Sequence, residues 1–190
     1  MKIRLLMIIG LLVIAGALTV APVMAGSTGS TTVSANPAAS IDITVGGDMS
    51  YWPLVVGTNT NSSVVTLTVS ANTVPWHVNV KDDMAGKPSG TGGFMVAYNS
   101  TNGYWNSAAP VLGYPSNPLE MTGGSGTGAT AATIFGLTGN DQALETGNAV
   151  VNAQSYGNPT FTQVVTYNDR VLTGTGDWYR IVVDFTGTPS

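Results

Sequence analysis

Apolar and polar residues alternate most clearly between positions 64 and 83, VVTLTVSANTVPWHVNVKDD. Val65, Leu67 and Val69 share one side of an extended chain, and Thr66 and Thr68 share the other. Successive side chains of a strand point to opposite faces, so this pattern predicts a half-buried strand over 64–69. The alternation returns after 70–73, with Trp76, Val78 and Val80 against His77, Asn79 and Lys81. Pro75 has no N–H to give a ladder and suits the start of that second strand. Trp76 is therefore expected in the core. The partner expected for this strand is the last one, residues 178–186. There Tyr179, Ile181, Val183 and Phe185 oppose Trp178, Arg180, Val182 and Asp184.

Similar short runs occur at 40–45, 51–56, 94–98, 119–121, 133–137, 149–152 and 160–167. Clusters rich in Gly, Pro, Asn and Ser separate them, and no internal repeat is visible. Residues 57–63, 84–93, 99–118 and 123–128 read as loops. The expected fold is all-β, a single sandwich of Ig-like or jelly-roll type with about nine short strands.

The first residues read differently. Lys2 and Arg4 precede an apolar run over 5–20, and Val23 and Ala25 stand where signal peptidase reads small residues. We expect 1–25 to be a signal peptide, 26–39 a flexible lead-in and 40–190 the β-sandwich domain. A retained anchor is the alternative, since 5–25 is just long enough to span a bilayer. Loss of 1–25 removes two of the six basic residues and none of the ten acidic ones, so the net charge moves from −4 to −6. An acidic chain of this kind fits neither nucleic acid nor, after cleavage, an anionic membrane. Charged residues make up only 8%, against about 25% in typical soluble domains. With no cysteine there is no disulfide framework and no thiolate chemistry.

Candidate chemistry is sparse. His77 is the only histidine and lies on the polar face of its strand, and no G-x-S-x-G elbow occurs. The expectation is therefore no enzyme activity. Asp82, Asp83, Asp141, Asp169 and Asp177 fall in predicted turns, where Asp bonds its own backbone. No EF-hand loop is present, and no metal or cofactor is expected. Tyr98, Tyr104, Trp105 and Tyr114 interleave with Asn99, Asn102 and Asn106, a mixture suited to stacking on sugar rings and bonding their hydroxyls. The alternative is that these rings close one end of the sandwich. Asn61 and Asn99 head N-x-S/T acceptor tripeptides in predicted loops, which makes them candidate glycosylation sites.

The segments ANTVPWHVNV and FTQVVTYND…YRIVVDFT resemble secreted β-sandwich surface proteins of methanogenic archaea over residues 63–188. They are more remotely similar to the WxL surface domains of Gram-positive bacteria. Val78 stands where the WxL motif has Leu, and no second Trp-x-Leu follows, so peptidoglycan attachment is not carried over. A signal peptide, Thr-rich leader and cysteine-free sandwich also resemble TasA-type matrix fibres and archaeal bundling pili. That resemblance implies a cell-envelope location and polymerisation by donation of a terminal strand. The expected function is an exported structural or adhesive surface protein, a filament or envelope subunit that self-associates by strand addition. The alternative is a non-catalytic carbohydrate-binding module that takes surface glycans. If the signal reading holds, intact-mass measurement of the secreted protein will give a chain starting at Gly26. A membrane-bound species retaining 1–25 would overturn it.

Overall fold

The structure, a computed structural model, describes residues 32–104, 114–173 and 176–190. The chain divides into two compact units, Met1–Pro37 and Ala38–Ser190. Of the first, residues 32–37 are described; they are exposed and carry no regular secondary structure. The signal-peptide expectation lies outside the described residues.

The second unit is all-β. The described residues form fourteen strands rather than about nine: β1 (Ile41–Gly46), β2 (Gly57–Asn61), β3 (Thr66–Ala71), β4 (Trp76–Asp82), β5 (Val96–Asn99), β6 (Gly103–Tyr104), β7 (Glu120–Thr122), β8 (Ala129–Ala131), β9 (Thr133–Ile134), β10 (Gln142–Gly147), β11 (Val151–Tyr156), β12 (Thr160–Val165), β13 (Asp177–Arg180) and β14 (Val183–Pro189). Every pairing is antiparallel, in four small sheets ordered β1-β3-β11, β14-β4-β10-β8, β2-β12-β7-β9 and β13-β5-β6. No helix among the described residues is long and apolar enough to cross a membrane.

The alternation of the central stretch is realised in space. Val65, Leu67, Val69, Trp76, Val78 and Val80 are all buried, while His77, Asn79 and Lys81 are half-buried on the other face of β4. As expected, β4 pairs with the end of the chain, Val80 opposite Phe185 and Trp76 opposite Pro189. The expected strand over 178–186 is not continuous, however. It breaks at Ile181 and Val182, so its first part (β13) joins β5 and its second (β14) joins β4. One alternating run thus serves two sheets.

Two further expectations are corrected. Residues 51–56 form no strand: Tyr51 has φ 58° and Gly57 φ 115°, which bend the chain out of extended geometry. The strand lies instead at β2, GTNTN, which had read as a polar loop. It is held by the buried Asn59 side chain, whose Nδ2 donates to the carbonyls of Val55 (2.8 Å), Gly57 (3.1 Å) and Gln163 (3.2 Å). Its Oδ1 accepts from Val55 N–H at 2.9 Å. The second correction is β10, QALETG, which has no visible alternation yet lies between β4 and β8. A bulge at Leu144 places both Leu144 and Glu145 inside.

The core has two parts. Val65, Val80, Leu119, Met121, Ile134, Leu137, Leu144 and Phe161 form one, and Leu67, Val69, Ala71, Trp76, Val78 and Tyr156 the other. Phe185 packs against both. Trp76 is completely buried, its Nε1 donates to the Ala149 carbonyl at 2.9 Å, and its ring meets Tyr156 edge-on at 5.6 Å. The indole lies directly over Gly147, where a Cβ would come within 1.7 Å of Trp76 Cε2. Glycine is required there. Trp76→Ala should cost about 3–5 kcal/mol in denaturant melts. Gly147→Ala should cost about 1–3 kcal/mol by overpacking. A loss below about 0.5 kcal/mol for Gly147→Ala would show that the indole moves aside without penalty.

Candidate functional site

Where strand pairing puts side chains on one face, it can assemble a surface that linear sequence scatters. In the sheet β13-β5-β6, Trp178 stands opposite Tyr98, and Tyr98 opposite Tyr104. Residues in such register share a face and lie side by side. Three rings therefore cross three strands in a row. The Tyr98 centroid is 5.8 Å from that of Trp178 and 5.1 Å from that of Tyr104. Tyr51 extends the row, its ring edge-on to Trp178 at 5.8 Å, and is 82% exposed. The Arg180 guanidinium lies 4.5 Å from the Tyr98 centroid and 6.0 Å from that of Tyr104, a cation–π arrangement.

The row borders an open groove of about 950 Å³. Core residues Val65, Leu119, Phe161 and Phe185 contribute to its lining. Exposed apolar side chains Val45, Val56, Tyr167 and Val171 line it too, with Asp48, Asp169 and Arg170 among its polar groups. Loop 166–170 is held by the Asp169 carboxylate, which accepts from Ser116 N–H (2.7 Å), Ser116 Oγ (2.6 Å) and Thr166 N–H (2.7 Å). Burial acts to raise the Asp169 carboxyl, but these bonds prevail and hold it below its usual range. The Tyr179 hydroxyl ties the same loop by donating to the Arg170 carbonyl at 2.6 Å.

Of the aromatic residues singled out in the sequence, Tyr98 and Tyr104 are brought together. Tyr114 instead packs on Phe94, with centroids 4.9 Å apart, and Trp105 lies outside the described residues. Trp178, Tyr51 and Arg180 were missed as members of the cluster. The alternation of 178–186 did place Trp178 and Arg180 on one face, but nothing in the sequence pairs that face with Tyr98. The two candidate glycosylation positions sit at strand ends, both half-buried. Asn61 Oδ1 accepts from Ser63 N–H at 3.1 Å. Asn99 Nδ2 donates to Asp177 Oδ1 at 2.7 Å, and its Oδ1 accepts from Thr101 N–H at 2.9 Å.

Several ionisable residues elsewhere have structural partners. His77 Nδ1 lies 3.1 Å from Thr146 Oγ1, and Lys81 pairs with Asp141 at 3.5 Å. Asp82, expected in a turn, is instead the buried end of β4. Its Oδ2 takes both an ion pair from the buried Lys87 and the Gly93 N–H at 2.8 Å. Lys87 Nζ also donates to the Phe94 carbonyl at 2.7 Å. Burial raises the Asp82 carboxyl and lowers the Lys87 ammonium, in each case against the pull of their mutual hydrogen bond. The pair closes loop 83–93. Asp83 does behave as a turn residue, accepting from Ala85 N–H at 2.9 Å. Among the described residues, no three of His, Asp and Glu come together in a way that could hold a metal ion.

Glu145 is the most perturbed acid. It is fully buried, its Oε1 accepts from Gly124 N–H at 3.0 Å, and its Oε2 meets no partner. Burial pushes its carboxyl from 4.5 up to about 7, against that single hydrogen bond.

A scan against protein-family models finds no match, and a search of curated proteins finds no relative.

Glu145 makes stability depend on pH. Its folded pKa lies above its unfolded value, so between pH 4.5 and about 7 the folded chain holds more protons than the unfolded one. Stability from this group is therefore full at the acid end and is lost as pH rises through the window. The loss is on the order of 3 kcal/mol, at about 1.4 kcal/mol per pKa unit. Subtracting unfolding free energies of Glu145→Gln from those of the native chain isolates this term. A difference independent of pH from 4.5 to 7 would overturn the assignment.

Proposed function

We propose that this protein is an exported, non-catalytic structural or adhesive component of the cell surface. In this reading its sheets form one Ig-like or jelly-roll sandwich, and copies of the chain assemble by strand addition. The observation that carries it is the groove. Val65, Leu119, Phe161 and Phe185 belong to or pack on the core, yet they line an opening whose other walls include the exposed Val45, Tyr51, Val56, Tyr167 and Val171. Exposed apolar surface of this kind marks an interaction site.

Two further features support assembly. The outer strands β1 and β11 of one sheet, and β2 and β9 of another, carry no Lys or Arg. Those are the residues that most often discourage edge pairing. Residues 32–39, which include Val33 and Ser34 from the β-prone end of the lead-in, are exposed and outside any sheet. A segment of this kind from one copy has the composition to extend along an edge or groove of the next.

A second reading, glycan binding, is favoured by the row Trp178–Tyr98–Tyr104. Aromatic rings set in line across three strands, with the Arg180 guanidinium against them, supply the apolar and polar contacts that sugar recognition uses.

Light scattering and electron microscopy of chains 26–190 and 40–190 separate the possibilities. Strand addition gives filaments or large assemblies from 26–190 only. Two samples that stay monomeric up to high concentration would end the assembly reading.

A further inference from the structure

Arg180 is the unusual member of the aromatic row. It is half-buried beside Tyr98 and Tyr104, and its charge meets no carboxylate at ion-pair distance among the described residues. Its neighbour Asp177, three residues back along β13, is engaged by Asn99. A guanidinium held against rings is not thereby deprived of its N–H donors, and its planar fork matches a carboxylate with two parallel hydrogen bonds. The stacking also fixes the side chain in advance, so little freedom is lost when an anion arrives.

The rings supply the rest of a site. Adjacent strands are about 4.8 Å apart, so three rings across three strands cover roughly 10 Å. The rings are inclined, by 43° between Tyr98 and Trp178 and 70° between Tyr98 and Tyr104, so sugar units along that length meet ring faces and edges in turn. Tyr51, 82% exposed, lengthens the platform beyond Trp178. The chain as a whole carries −4, which disfavours anions in general. An uncompensated cation set into an aromatic row is therefore a local exception, and it favours one class of sugar over the others.

We propose that Tyr51, Trp178, Tyr98 and Tyr104, with Arg180, bind an acidic oligosaccharide. The sugar rings stack on the aromatic row, and a uronate carboxylate docks on the guanidinium. This rests on the glycan-binding reading above and names its ligand class. It requires no bond to form or break.

The test is calorimetric titration of the full chain with galacturonate, glucuronate and mannuronate oligosaccharides, each alongside its methyl ester. Esterification keeps the sugar frame and removes the charge. At least one acid should bind about tenfold or more tightly than its ester, the margin expected of a charge-assisted hydrogen-bonded pair. Arg180→Gln should erase that margin and leave ester binding unchanged, while Trp178→Ala should weaken acid and ester alike. Should Trp178→Ala unfold the chain, the exposed Tyr51→Ala serves in its place. Acid and ester binding equally would overturn the acidic-ligand inference and leave glycan binding standing. No binding of any member at millimolar concentration would overturn both. Binding that neither Arg180→Gln nor the aromatic variants alter would place the ligand elsewhere and overturn the proposal.

Discussion

The β-unit depends on how Trp76 is seated. An indole is the largest side chain a core accepts, and it carries a donor that must be satisfied once buried. Here the Ala149 carbonyl accepts that N–H, Tyr156 closes the ring edge, and Gly147 supplies the bare backbone on which the ring rests. Each partner is reached only if β4 and β10 keep their register. A slip of one residue would turn every core side chain to the wrong face and bring Thr146 opposite the indole. Tyr156 belongs to β11 in a different sheet, so the same contact joins the sheet of β3 to that of β4. Gly187 of β14 lies where a Cβ would touch Ile41 and Ile43 of β1, which lets those two sheets approach closely on the other side as well.

Much of this was written in plain alternation. The faces of β3 and β4, the burial of Trp76 and the pairing of β4 with the end of the chain follow from period-two patterning, because half-buried strands obey it. What escaped notice breaks that rule for identifiable reasons. In β10 a bulge puts two successive residues inward, and one of them is a glutamate, so no alternation remains to be seen. In β2 the strand consists of Gly, Thr and Asn, and its position is set by the hydrogen bonds of Asn59 to the distant Gln163 backbone as much as by any apolar face. Conversely, 51–56 has the apolar content of a strand, and its backbone conformation at Tyr51 and Gly57 excludes one.

The candidate site shows the same division. Tyr98 and Tyr104 were legible as aromatic residues in an Asn-rich stretch, since they are close in sequence. Trp178 lies eighty positions beyond Tyr98 and joins it only through β13–β5 register. Tyr51 arrives by way of a left-handed backbone turn. A surface built from three separate parts of the chain has no local signature. Asp82 and Lys87 were hidden differently: five residues apart, they resemble ordinary solvent-facing charges until the loop between them folds inward.

That closed loop bears on how the chain meets proteases. Beyond residue 31 the basic residues are Lys81, Lys87, Arg170 and Arg180, and these are the only points at which a trypsin-like protease can recognise it. Lys87 is sealed against Asp82 and is followed by Pro88, an unfavourable bond for such enzymes even when unfolded. Lys81 lies within β4 with strands on both sides, and Arg180 ends β13 with its side chain against two rings. The exposed Arg170 is left as the principal point of attack in the native fold, in a loop already fastened by Asp169 and Tyr179. Scarcity of positive charge and the placement of what remains together act as armour against digestion.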